Sequence, residues 1–100
     1  MKKLILITTE GCEACNIMRK LVDRAFKYDM VQARSVKYEE KDFKELPKSV
    51  ALSWNVTDFP TLVFINENYT NDPITNNEVI HKLVGTKTVA EIVSDIMKYL

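Results

Sequence analysis

The run Leu4-Ile5-Leu6-Ile7-Thr8-Thr9-Glu10-Gly11-Cys12-Glu13-Ala14-Cys15-Asn16-Ile17-Met18 changes its period halfway along. From Leu4 to Thr8 it is almost continuously apolar and β-branched, the pattern of a central strand covered on both faces. Thr9-Glu10-Gly11 ends that strand. After Cys12 the spacing becomes helical: Ile17, Met18, Leu21, Val22, Ala25 and Phe26 fall on one face, and Arg19, Lys20, Asp23, Arg24 and Lys27 fall outside it. The two cysteines therefore open a helix at the point where a buried strand stops.

That placement carries chemistry. Thiol–disulfide exchange needs a thiolate, and a helix N-terminus offers unpaired amides and a partial positive charge to stabilise one. Positions i and i+3 share a helical face, with Cβ atoms about 5–6 Å apart, so a modest adjustment reaches the roughly 3.5–4.5 Å of a disulfide. Cys12 is thus the candidate attacking thiol and Cys15 the candidate resolving thiol. Two plainer uses of the pair stand beside this one. Two buried structural thiols would need no helix start, and a zinc or iron–sulfur centre needs about four ligands, where the chain offers two Cys and a single His81, so that such a centre would have to be shared between two chains. No metal centre is expected, and His81 reads as a surface residue of a strand.

Outward from the motif, strand and helix alternate. A weaker strand is expected near Ala33 to Glu39, where Val36 and Tyr38 alternate with charged neighbours. Pro47 suits a first helical turn, and Val50, Ala51, Leu52 and Trp54 suggest a short helix to about Asn55, with Phe43 and Leu46 packed beneath it. Phe59-Pro60-Thr61 leads into an apolar strand from Leu62 to Ile65. The stretch from Asn66 to Asn77 reads as a hairpin loop, and Glu78 to Val84 as its return strand. Thr88-x-x-Glu91 is a capping box that opens a last helix with Val89, Ile92, Val93, Ile96 and Leu100 inward. The order β-α-β-α-β-β-α, with a right-handed first crossover, predicts an α/β fold: a four-stranded mixed sheet flanked by helices.

One hundred residues at 46% apolar content fill one core, so residues 1–100 are expected to form a single domain. Fourteen Lys and Arg balance fourteen Asp and Glu, which removes the electrostatic case for a nucleic acid or an anionic membrane as partner. Met1-Lys2-Lys3 before Leu4 imitates a secretory leader, but the apolar run falls short of the roughly 7–15 residues such a leader needs. No apolar run approaches the roughly 18 residues of a membrane span. Two neighbouring cysteines do not make a disulfide-stapled scaffold, so the cytoplasm is the expected compartment, and a monomer the expected state.

With these residues on the page, the chain from Leu4 to Leu100 resembles the thioredoxin-like and glutaredoxin-like proteins. Val56-Thr57-Asp58-Phe59-Pro60-Thr61-Leu62 is similar to their segment ending in a cis-proline followed by Thr, and Val84-Gly85 is similar to their turn before the last helix. The resemblance implies a thioredoxin-like fold without the first strand and helix of full-length thioredoxins. It also implies a cis Pro60 facing the cysteines, and a groove formed by Gly11, Cys12, Phe59, Pro60, Thr61 and Gly85 in which the Phe59 backbone pairs with a substrate peptide. The implied activity is reduction of disulfides in protein partners, without a bound cofactor, with a reductase or glutathione as electron donor. A glutathione-recharged glutaredoxin-like protein and a non-catalytic binding module of the same fold are the alternatives. The chain departs from the thioredoxin pattern in two respects, and it also lacks the Cys-Pro-Tyr-Cys and the paired glycines of glutaredoxins. Gly11-Cys12-Glu13-Ala14-Cys15 replaces Trp-Cys-Gly-Pro-Cys, and Leu6 stands where thioredoxins usually carry a buried acid. Glu10 and Glu13 oppose a thiolate on Cys12, which predicts an ordinary couple on the reducing side.

Overall fold

In the computed structural model, which describes residues 2–66 and 79–100, the first strand β1 (Lys2–Thr8) is buried from Leu4 to Thr8 because neighbours cover both its edges and both its faces. It is followed by α1 (Glu13–Ala25), α2 (Asp29–Gln32), β2 (Lys37–Asp42), a 3-10 turn at Phe43–Glu45, α3 (Lys48–Ser53), β3 (Thr61–Asn66), β4 (Val79–Val84) and α4 (Val89–Tyr99). The sheet order is β2-β1-β3-β4. β1 pairs parallel with β2 and antiparallel with β3, and β3 pairs antiparallel with β4. The mixed four-stranded sheet with flanking helices is the one the residue patterns predict.

Successive side chains of a strand point to opposite faces, so β1 and β3 each supply two cores. Leu4 and Leu6 join Leu62 and Phe64 on the face covered by Met18, Val22 and Ala25 of α1 and by Ile92, Ile96 and Leu100 of the last helical segment. Ile5 and Ile7 join Val63 and Ile65 on the other face, under Leu46, Val56, Phe43, Val50 and Trp54. The expected packing of Phe43 and Leu46 with the short helix is present. The capping box of α4 is also present: the Thr88 hydroxyl accepts from the Glu91 amide at 3.1 Å, and Glu91 Oε1 accepts from the Thr88 amide at 3.4 Å.

Several boundaries differ from the sequence-based expectation. The second strand begins at Lys37 rather than near Ala33, because the segment before it folds into α2 and a turn in which Ser35 takes φ 55°. Pairing with β1, from Lys3 opposite Lys37 to Thr8 opposite Asp42, sets this edge strand where side-chain alternation is weak. α1 stops at Ala25 with Phe26 as its C-cap, and Ile17, expected inward, is 51% exposed because it lies at the rim of the helical stripe. α3 ends at Ser53, and Leu52 points to solvent at 77% exposure. Asn66 belongs to β3 and is buried; the rest of the expected hairpin loop and Glu78 lie outside the described residues. His81 is half-buried rather than a surface residue, stacked on Tyr99 at 4.1 Å between ring centroids and 2.9 Å from the Asp95 carboxylate.

Candidate functional site

Strand register gathers the predicted site residues at one end of the sheet. Ile7 lies opposite Thr61, and Thr61 lies opposite Val84. The residues just beyond these, Gly11 and Cys12 after β1, Phe59 and Pro60 before β3, and Gly85 after β4, therefore emerge at the same edge. β2 reaches it too, with Thr8 opposite Asp42. The Gly85 amide donates to the Pro60 carbonyl at 2.8 Å, a direct link between two of these segments. The chain's two glycines are both here, Gly11 at φ 72° and Gly85 at φ 84°, a left-handed backbone that side chains with a Cβ rarely adopt.

Cys12 is the N-cap of α1, with extended backbone, and Cys15 sits in its first turn. The two are joined as a disulfide, with Cα atoms 5.2 Å apart. Their surroundings differ. Cys15 is buried at 1% exposure, whereas Cys12 is half-buried and open to approach. The backbone amide of Cys15 donates to Cys12 Sγ at 3.0 Å. In a helix start the first amides have no partner within the helix, so this donor is free to serve the sulfur, and it would serve a thiolate more strongly than a neutral one.

Phe59-Pro60 is a cis peptide bond, as the resemblance implies. Pro60 is buried and Phe59 half-buried, its ring meeting Phe43 edge-on at 5.2 Å between centroids. Thr61 is buried, and its hydroxyl donates to the Asp58 carbonyl at 2.5 Å, so its side chain shapes the turn from within. Glu10 is matched by Lys44, Nζ to Oε2 at 2.8 Å, which offsets one of the two charges set against a thiolate on Cys12. Glu13 is exposed in the first turn of α1. Leu6 is fully buried among apolar side chains. Lys44 had no signature in the sequence. The Asp42-x-x-Glu45 capping box marks the turn that carries it, but not its partner Glu10, which lies far away in sequence.

Among the described residues no group of three or more His, Cys, Asp or Glu side chains converges to hold a metal ion. No helix among them is long and apolar enough to cross a membrane.

Comparison with solved structures finds the same architecture many times. The thioredoxin of Malassezia sympodialis superposes with a TM-score of 0.72 at 16% identity, over 98% of this chain and 74% of that one. Mitochondrial thioredoxin 3 of Saccharomyces cerevisiae, in its oxidised form, gives 0.69 at 21% identity, over 97% and 77%. A malarial protein gives 0.71 at 16% identity and matches 100% of this chain and 98% of its own. The chain has a thioredoxin-like fold, with its cysteine pair at C-x-x-C spacing. No protein-family model matches it, and no curated protein sequence matches it.

Proposed function

We propose that the chain is a thiol–disulfide oxidoreductase that reduces disulfides in protein partners through Cys12 and Cys15. The observation that carries this is the asymmetry of the pair: a half-buried Cys12 whose sulfur accepts a helix-start amide at 3.0 Å, and a buried Cys15 three residues on. The thiolate of Cys12 attacks one sulfur of the partner's disulfide, forms a mixed disulfide and releases the partner's other sulfur as a thiolate. The Cys15 thiol gives its proton to that departing thiolate and attacks Cys12 Sγ, which breaks the mixed disulfide and frees the second partner sulfur. The partner gains two electrons, and Cys12–Cys15 becomes the disulfide seen here. A reductase or glutathione returns the two electrons. The groove of Gly11, Phe59, Pro60 and Gly85, with the buried Thr61 shaping its turn from within, holds the partner, and the protein works as a cytoplasmic monomer.

The reduction potential of the couple, titrated against dithiol buffers and read by thiol alkylation and mass spectrometry, tests this reading. A value of about −270 to −200 mV is expected for a reductant. A value near −120 mV would make the protein an oxidant, and absence of a reversible Cys12–Cys15 disulfide would overturn the redox assignment.

A further inference from the structure

The segment that carries Phe59 and Pro60 is held at both ends by one strand. It begins where α3 stops. Asn55 takes φ 53°, its amide donates to the Leu52 carbonyl at 3.1 Å, and the Val56 amide donates to the Ala51 carbonyl at 3.2 Å. This is the double-bonded helix ending in which a left-handed residue reverses the chain, with Val56, Val50 and Ala51 joined in one apolar cluster. The carbonyls of Trp54 and Asn55 point onward from this terminus, where the helix ends in partial negative charge. Both accept from Lys82 Nζ, at 2.8 Å and 3.2 Å. Lys82 lies on β4 opposite Val63 and is half-buried. Three residues further on, just past the end of β4, the Gly85 amide donates to the Pro60 carbonyl at 2.8 Å. The ammonium thus fixes the entry of the 55–60 segment and the glycine amide fixes its exit.

We propose that Lys82 is a positioning residue: by holding the end of α3 it sets the Phe59 backbone for a protein partner, without touching the reacting sulfurs. This rests on the dithiol reading of the cysteines. A small disulfide reaches Cys12 without the Phe59 backbone, whereas a protein disulfide needs it, so loss of Lys82 discriminates between the two.

The test compares the wild-type chain with Lys82→Met, Lys82→Arg and Thr88→Ala. Reduction of insulin and of hydroxyethyl disulfide is followed with dithiothreitol as electron source. Hydrogen exchange is read at the amides from Val56 to Phe59. Thr88→Ala controls for lost stability alone, since it removes the cap of α4 and none of the hydrogen bonds that hold the segment. Lys82→Met is expected to raise KM for insulin about fivefold, as befits a partly exposed charged hydrogen bond. It leaves kcat and the hydroxyethyl disulfide rate within about twofold and speeds exchange across 56–59. Lys82→Arg restores most of the KM, and Thr88→Ala leaves it unmoved. Equal KM and exchange in Lys82→Met and wild type overturn the proposal, as does an equal slowing of both substrates. A wild-type chain that reduces neither disulfide overturns the dithiol reading instead, and is recognised before any variant is measured.

Discussion

The two faces of the sheet are covered to different depths. On the α1 and α4 face, Leu4, Leu6, Met18, Val22, Phe64, Ile92 and Ile96 are fully buried, and both helices contribute buried residues. On the other face the strands supply fully buried Ile7 and Val63, but α3 contributes no buried residue. The cover there is Leu46 and Val56 at 9% exposure, with half-buried Phe43, Trp54 and Phe59. One face is a thick base and the other a thin lid. The cysteine helix is built on the base and the cis-proline segment belongs to the lid, so the proposed chemistry has fixed sulfurs beside a partner-facing turn that depends on a few anchors.

The strongest way to sharpen this contrast is chemical. Cys12→Ser should reduce insulin turnover to background, and Cys15→Ser should accumulate partners in mixed disulfides visible on a non-reducing gel, since the base carries the attacking and resolving sulfurs. Next comes packing. Phe64→Ala in the base is expected to cost about 3–5 kcal/mol in denaturant unfolding, and Val56→Ala in the lid about 1–2 kcal/mol; equal losses would erase the distinction between the faces. Thr88→Ala, which removes the cap of the helix that covers the base, should cost about 1 kcal/mol by the same measurement.

An effect confined to alkaline pH concerns Tyr38, where the base meets the edge strand. Its hydroxyl is buried without a hydrogen-bond partner among the described residues. Burial, then the negative charge of Glu40, pushes its pKa up to about 12, against the attraction of Arg19. An unfolded tyrosine titrates near 10, so as pH rises the unfolded chain loses this proton first. The stability held below about pH 10 is therefore lost progressively as pH approaches 12. Tyr38→Phe should remove that part of the alkaline slope, read as denaturant midpoints from about pH 9 to about pH 12.

Legibility in the sequence followed burial. β1 and β3 stand inside the sheet, and their apolar runs were plain; Thr88 and Glu91 announced α4 by local hydrogen bonding alone. β2 was misplaced because an edge strand reading Lys-Tyr-Glu-Glu-Lys-Asp is fixed by register with β1, not by its own pattern. α2 was missed because a four-residue helix spans little more than one turn and leaves almost no period to detect. Cys12 and Cys15 declared themselves by spacing and context. The cis bond before Pro60 was expected only through the family resemblance, because nothing in the local residues distinguishes it from a trans proline that begins a strand. Lys44 and Lys82 were invisible as participants: each acts on a group far away in sequence, Glu10 in one case and the end of α3 in the other.

The central position of β1 has a consequence for synthesis. Leu4-Ile5-Leu6-Ile7 is made before its partner β3, so one of its edges stays open until β3 emerges, after α1, β2 and α3 have all been made. At about 5–20 residues per second that interval lasts seconds, during which a short, uncharged and β-prone segment offers unsatisfied amides to any neighbouring chain. The length of chain between β1 and β3 thus sets how long this edge stays open to aggregation.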